Sequence, residues 1–309
     1  KAFYISKYGD WLDNDLSEKI LIGEIEPNIT DKQRIYNREK INFLEGINFK
    51  NIDVWFPLMH GFNGEDGSIH GLLKFTKKPL VGCGIIGSAL GMDKIMMKTI
   101  FSNLKIPQVN YLTFQHEDIN DKEVKNKLIN EILNKLNFPV FVKPCNSGSS
   151  LGISKVIDES GLLQALEKAW EIDPRILVEE GLEVKEIECG IIGNSNLLTS
   201  EIGEVKYDTD WYDYDSKYNS NNKITIPAEI DPKTTKQIKE LAIQSCRALN
   251  IFGFARVDFF LEKFSNKILI NEINTIPGFT NKSMFPMLWE ASGLNIEQLV
   301  AKLVDISLD

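Results

Sequence analysis

The chain is short of the residues that carry much familiar chemistry. It has three histidines and four cysteines among 309 residues. Cys83, Cys145, Cys189 and Cys246 are scattered, with no CxxC pair and no histidine at metal-ligand spacing. That scatter argues against a disulfide framework and a zinc site, and leaves reduced thiols of the cytosolic kind. No apolar run reaches the ~20 residues of a membrane helix, and the N-terminus lacks a signal-peptide core. A cytoplasmic location without a membrane partner is the expectation. Runs of Lys and Arg are also missing, and 44 acidic residues outnumber 35 basic ones for a net charge of −9. Nucleic acid is therefore not an expected partner, although a local basic cluster can still hold a small anion. The P-loop pattern GxxxxGK[ST] is absent too.

What is present reads as a globular α/β protein. Apolar residues make up 43% and charged residues 26% of the chain, and the length suits two or three domains. Strand-like and helix-like segments alternate. A strand over 54–59 runs into the glycine loop HGFNGEDG (60–67), followed by a helix over 68–77 and a short strand into VGCG at 81–84. That order fits a doubly wound first domain. A long helix from Asp93 and another over 120–136 precede strands at 139–144, 151–156 and 175–181, with a helix at 160–172 between the last two. Strands at 186–192 and 198–205 lead to a polar, aromatic loop at 207–222. A helix capped by Asp231 with Pro232 in its first turn follows. Two strands about a Ser265–Asn266 turn and two helices complete the chain.

The strongest chemical signal is that last hairpin. Arg256 and Asp258 share one face of a strand, as do Glu272 and Asn274 on the next. A turn centred near Ser265 sets Asp258 across from Glu272 and Arg256 across from Asn274. Hard oxygen donors so grouped suit Mg²⁺, which takes one or two carboxylates plus substrate phosphates. The plainer alternative is a solvated strand face. The next segment, TIPGFTNKS (275–283), has a Pro277–Gly278 turn that lets backbone N–H groups approach a ligand, and Ser283 or the following helix N-terminus could hold a carboxylate. In VKPCNSGSSLG (142–152), Lys143 leaves a buried strand where a cation needs a partner, and the Ser/Gly loop offers donors to phosphate. The acids of EEG (179–181) and Glu186 sit at a strand end where adenine and ribose could be read. WYDYDSKY (211–218) has the size of a lid. His60 and Glu65 pair a histidine with an acid; His70 and His116 are read as having no function.

Taken in order, HGFNGEDG, ALGMDK (89–94), FVKPCNSGSSLGISK, LVEEGLEVKEIE, YDYDSKY, FARVDFF and NEINTIPGFTNKS resemble the D-alanine–D-alanine ligases of the ATP-grasp superfamily. The resemblance spans residues 54 to about 290. It implies an N-terminal substrate domain (1–90), a central ATP-grasp subdomain (91–181) and a C-terminal catalytic domain (182–309). ATP would lie between the last two. The implied roles are these. Lys94, Lys143, Ser150 and Lys217 hold ATP phosphates, Glu179, Glu180 and Leu182 contact adenine, and Glu186 the ribose. Asp258, Glu272 and Asn274 hold two Mg²⁺, for which Mn²⁺ could substitute. Arg256 and Gly278 stabilise the reacting carboxyl, Ser283 takes the second D-alanine, and His60 lies near the first. Ser149 and Tyr218 form a lock over the substrates that favours D-alanine over D-lactate as second substrate. A homodimer is compatible with the pattern. The family opens on a strand and loop with a substrate-holding glutamate, whereas KAFYISKYGDW is similar to its second strand. A βα unit of about 30 residues is thus expected ahead of Lys1, and no glutamate present takes that role. Two other readings stay open: a different ATP-grasp carboxylate–amine ligase, and a relative that binds nucleotide without catalysis.

Overall fold

The computed structural model describes residues 1–6, 9–26, 40–41, 51–115, 121–148, 151–206 and 223–309. They fall into two units, Lys1–Asp53 and Val54–Asp309. In the first unit, β1 (Trp11–Leu12) pairs antiparallel with β2 (Lys40–Ile41), and Ile5 bridges to Trp11. Helix α1 (Asn14–Leu21) is capped by the Asp13 carboxylate, which accepts from the Leu16 N–H. The capping satisfies one of the N–H groups that a helix start leaves unpaired.

The second unit begins with a single parallel bridge, Trp55 to Leu80, where the sequence suggests a longer strand. Helix α2 (Ser68–Lys74) follows the glycine loop. Helix α3 (Gly84–Met92) is not legible in the sequence, because glycines at 84, 87 and 91 argue against a helix. Their use is close packing: a Cβ on Gly91 would meet the Thr275 methyl at 2.6 Å. Asp93 then caps α4 (Lys94–Asn103), accepting from the Met96 N–H.

Two antiparallel sheets carry the rest. The four-stranded sheet runs in the order β3 (Tyr111–Gln115), β6 (Arg175–Glu180), β4 (Val140–Pro144) and β5 (Ser154–Val156). One face, with Val140, Val142, Ile176 and Val178, packs on α5 (Lys122–Lys135) and α6 (Leu162–Trp170). The five-stranded sheet runs β11 (Ile268–Asn274), β10 (Gly253–Glu262), β7 (Val184–Gly193), β8 (Leu198–Lys206) and β9 (Lys223–Thr225). Alternation along β10 decides its two faces. Ala255, Val257, Phe259 and Leu261 enter the core with α7 (Pro232–Ala248) and α4. Phe254 points to the other side and packs with Phe285, Trp289, Leu299 and Leu303 of α8 (Met284–Ala291) and α9 (Ile296–Leu308). Arg256 and Asp258 are on that same side of the sheet. All four cysteines are free and buried. Among the described residues, no helix is long and apolar enough to cross a membrane.

Candidate active site

The hairpin pairs Arg256 with Asn274 and Asp258 with Glu272, the register expected from the turn, though by a different route. Nearer the turn, Phe259 pairs with Ile270 and Leu261 with Ile268. A β-bulge after Asp258 then takes in one extra residue on β11. Without it, Asp258 would face Asn271, and Glu272 would turn toward the apolar core. The bulge thus re-aims a carboxylate, as bulges beside functional sites commonly do. Ile268, Ile270 and Ile273 all stay in the core as a result.

Arg256 is the hub of this patch. Its Nε and one terminal nitrogen donate to the two oxygens of Asp258, each at 2.7 Å. Its Nε also lies 2.8 Å from Glu188 Oε2, and Asn274 donates to Asp258 at 2.8 Å. Burial works against the guanidinium charge, but Asp258, Glu188 and Glu272 outweigh it and hold the Arg256 pKa well above its usual range. Glu188 faces Asp258 across the β7–β10 ladder. Among the described residues, no three His, Cys, Asp or Glu side chains form a metal cage by themselves. Two facing carboxylates and an amide could instead supply part of a Mg²⁺ shell, with substrate phosphates supplying the rest.

A cationic cluster lies on the other sheet. Glu179 sits between Tyr111 and Phe141, its partners on β3 and β4. Lys143, two residues along β4 from Phe141, ion-pairs with Glu179 Oε2. Lys98, from α4, lies 2.5 Å from Glu179 Oε1. One turn earlier on that helix, Lys94 donates to the Ser147 carbonyl at 2.5 Å. All of these side chains are buried or nearly so. Burial alone would raise the Glu179 pKa, but Lys143 and Lys98 overcome it and hold the carboxyl at about 2. Burial pushes the Lys94 and Lys98 ammonium groups down, against the pull of Glu272 and Glu179. Lys98 and Lys143 share the Glu179 carboxylate, while Lys94 is held by the Ser147 carbonyl and, of the charges around it, feels Glu272 most strongly. Glu272 also acts on Lys143, which brings the cationic cluster and the acidic hairpin within electrostatic range.

Loops close the constellation. The His60 ring is 3.1 Å from the Ile276 carbonyl through Nδ1, which must therefore carry the proton. Glu65 accepts from the Gly61 N–H at 2.5 Å, and burial raises its pKa. Ser283 precedes α8, and its hydroxyl accepts from the Thr280 N–H at 3.0 Å. A Cβ on Gly278 would approach that hydroxyl to 2.9 Å.

Comparison with known proteins is decisive. The family model for the D-Ala–D-Ala ligase C-terminus matches residues 100–305, and the model for the N-terminus matches residues 1–83. The chain belongs to the D-alanine–D-alanine ligase family. A D-alanine–D-alanine ligase from Prochlorococcus marinus strain MIT 9312 is 84% identical over all 309 residues, which cover 87% of that protein. Among solved structures, a D-alanine–D-alanine ligase from Coxiella burnetii matches with TM-score 0.80 at 31% identity, covering 99% of this chain and 83% of that one. The VanG D-Ala:D-Ser ligase from Enterococcus faecalis matches with TM-score 0.83 at 32% identity, covering 99% and 88%. The two sheets are those of the ATP-grasp fold that these ligases share.

Within a member of the D-alanine–D-alanine ligase family, the expected residues form three groups. Lys94, Lys143 and Glu179 meet in the cationic cluster, and Arg256, Asp258, Glu272 and Asn274 on the hairpin. Ser283 meets Gly278 at the start of α8. Glu180 has its carboxylate bound by Asn110 at 2.8 Å and by Asn137 at 2.8 and 2.9 Å. Its side chain pins β6 to neighbouring loops. Leu182 follows the end of β6, and Glu186 lies on β7 opposite Phe260. Ser149, Ser150, Lys217 and Tyr218 lie outside the described residues, as do His116 and the loop 207–222. Sequence reading missed Lys98 and Glu188. Each had a signal: Lys98 is four residues after Lys94 on a helix, and Glu188 is two after Glu186 on a strand.

Proposed function

We propose that this chain joins two D-alanines in an ATP-dependent, ADP-forming reaction that supplies a peptidoglycan precursor in the cytoplasm. The observation that carries the reading is the meeting of a buried lysine cluster with an acidic, arginine-centred hairpin. The domain limits 1–90, 91–181 and 182–309 belong to the same proposal.

The first D-alanine carboxylate attacks the γ-phosphorus of ATP, ADP departs, and D-alanyl phosphate forms. The amine of the second D-alanine then attacks the acyl carbon, loses a proton, and inorganic phosphate leaves. Lys94 and Lys143, with Ser150 and Lys217, hold the phosphates and offset the charge that develops on them. Asp258, Glu272 and Asn274 fit two Mg²⁺ ions, which would neutralise the phosphate oxygens when bound. Arg256 and the Gly278 backbone stabilise the reacting carboxyl, His60 lies by the first D-alanine, and Ser283 takes the carboxylate of the second. The backbone from Glu179 to Leu182 contacts adenine, and Glu186 the ribose. Ser149 and Tyr218 close over the substrates with no cation to turn away an ammonium group.

Phosphate release with ATP, Mg²⁺ and D-alanine, D-serine or D-lactate as second substrate tests the reading. D-alanine alone supporting fast release is the expected result. Equal release with D-lactate would overturn the specificity, and no release with any of the three would overturn the reaction.

A further inference from the structure

Lys98 has no part in the reaction as set out above, yet it is the most deeply placed cation of the cluster. Its side chain is 2% exposed, against 13% for Lys143. Each ammonium holds one oxygen of the same carboxylate, Lys98 on Oε1 and Lys143 on Oε2 of Glu179. The Tyr111 ring lies 5.3 Å beneath the Lys98 Nζ, and the Gln108 side chain donates to the Lys98 carbonyl at 2.9 Å. Lys98 is therefore walled in by protein. Lys143 stands at the strand end that leads into the Ser/Gly loop.

We propose that Lys98 is a positioning residue: the resident counter-ion of Glu179, which frees Lys143 to leave that carboxylate for the polyphosphate of the nucleotide. The inference rests on the nucleotide-site reading given above. Its physical basis is the cost of an unpaired buried charge. A carboxylate 2% exposed cannot give up its sole cation without a large penalty. With Lys98 in place, Glu179 keeps a close partner when Lys143 turns to phosphate, so the exchange trades one anion for another. Without Lys98, Glu179 keeps Lys143, and phosphate must compete with a buried ion pair. Lys98 thus sets phosphate affinity without touching phosphate.

The test uses Mg²⁺-tripolyphosphate, which has the charge of the nucleotide and no base, with binding measured by calorimetry on the full chain. Lys98→Met should weaken binding by about tenfold or more, the range typical of coupled contacting residues. The double variant Lys98→Met/Glu179→Gln should recover most of that loss, because the carboxylate that traps Lys143 is gone. A residue that only supports the fold would give a double variant no better than the single one. Unchanged binding in Lys98→Met, or no recovery in the double variant, overturns the inference while leaving the site reading intact. Failure of the wild-type chain to bind tripolyphosphate overturns both. If Lys98→Met does not fold, a crystal structure of the wild-type chain with Mg²⁺-tripolyphosphate decides. Lys143 on phosphate with Lys98 still on Glu179 is expected, and Lys98 on phosphate would refute the assignment.

Discussion

Asp258 and Glu272 face each other across the last hairpin, and Arg256 grips Asp258 with two hydrogen bonds of 2.7 Å. Two like charges side by side are tolerable only with a cation between or beside them. Before any ligand binds, Arg256 is one such cation, and Lys94 and Lys143 act on Glu272 as well. A bound Mg²⁺ would bring further positive charge to the same acids, leaving Glu188 as a second anchor for Arg256.

Asp258→Asn and Glu272→Gln keep shape and remove charge. Each should lower kcat about 10²–10³-fold, the usual cost of losing one preorganised charge at a reacting centre. ADP formation at saturating ATP, Mg²⁺ and D-alanine measures it. Wild-type turnover in both variants would move the site elsewhere.

Gly278 lies where any Cβ crowds the Ser283 hydroxyl at 2.9 Å, and that hydroxyl is already held by Thr280. Gly278→Ala should push Ser283 aside and raise the KM for the second D-alanine, with the KM for ATP unchanged. Initial rates over both substrates would check this. A rise confined to ATP would contradict it.

The Glu179 carboxyl is held at about 2 by Lys143 and Lys98, below its ordinary 4.5. A depressed folded pKa contributes stability at neutral pH and above 4.5, and that stability is lost as pH falls toward 2. Urea midpoints should therefore fall through this window. The fall should be shallower in Glu179→Gln, whose side chain takes up no proton. Identical pH profiles for the two proteins would show that the ion pairs do not contribute.

Much of this was legible in the sequence because β10 alternates strictly from Ala255 to Glu262 and the hairpin turn is short. Asp231 with Pro232, and the run of apolar residues in 160–172, announced their helices in the same way. The helix Gly84–Met92 was hidden because its glycines serve packing against Ile251 and Thr275, which no local pattern reports. The hairpin register came out right, but the bulge that produces it depends on which β11 side chains the core accepts. Lys98 was overlooked because a lysine on a helix ordinarily reaches water. Only the tertiary fold brings Glu179 over it.

Strand β10 lies between β11 and β7, so its backbone is paired on both sides. Its odd positions from 255 to 261 enter the core, whereas Arg256 and Asp258 alternate with them on the face toward the site. Evolutionary constraint on this ten-residue stretch should consequently have two sources that alternate with residue number. A change at Val257 acts on how much folded protein a cell holds, and a change at Asp258 on what each folded molecule can do. Adjacent positions on one strand would then show opposite signatures in any measurement that separates abundance from activity.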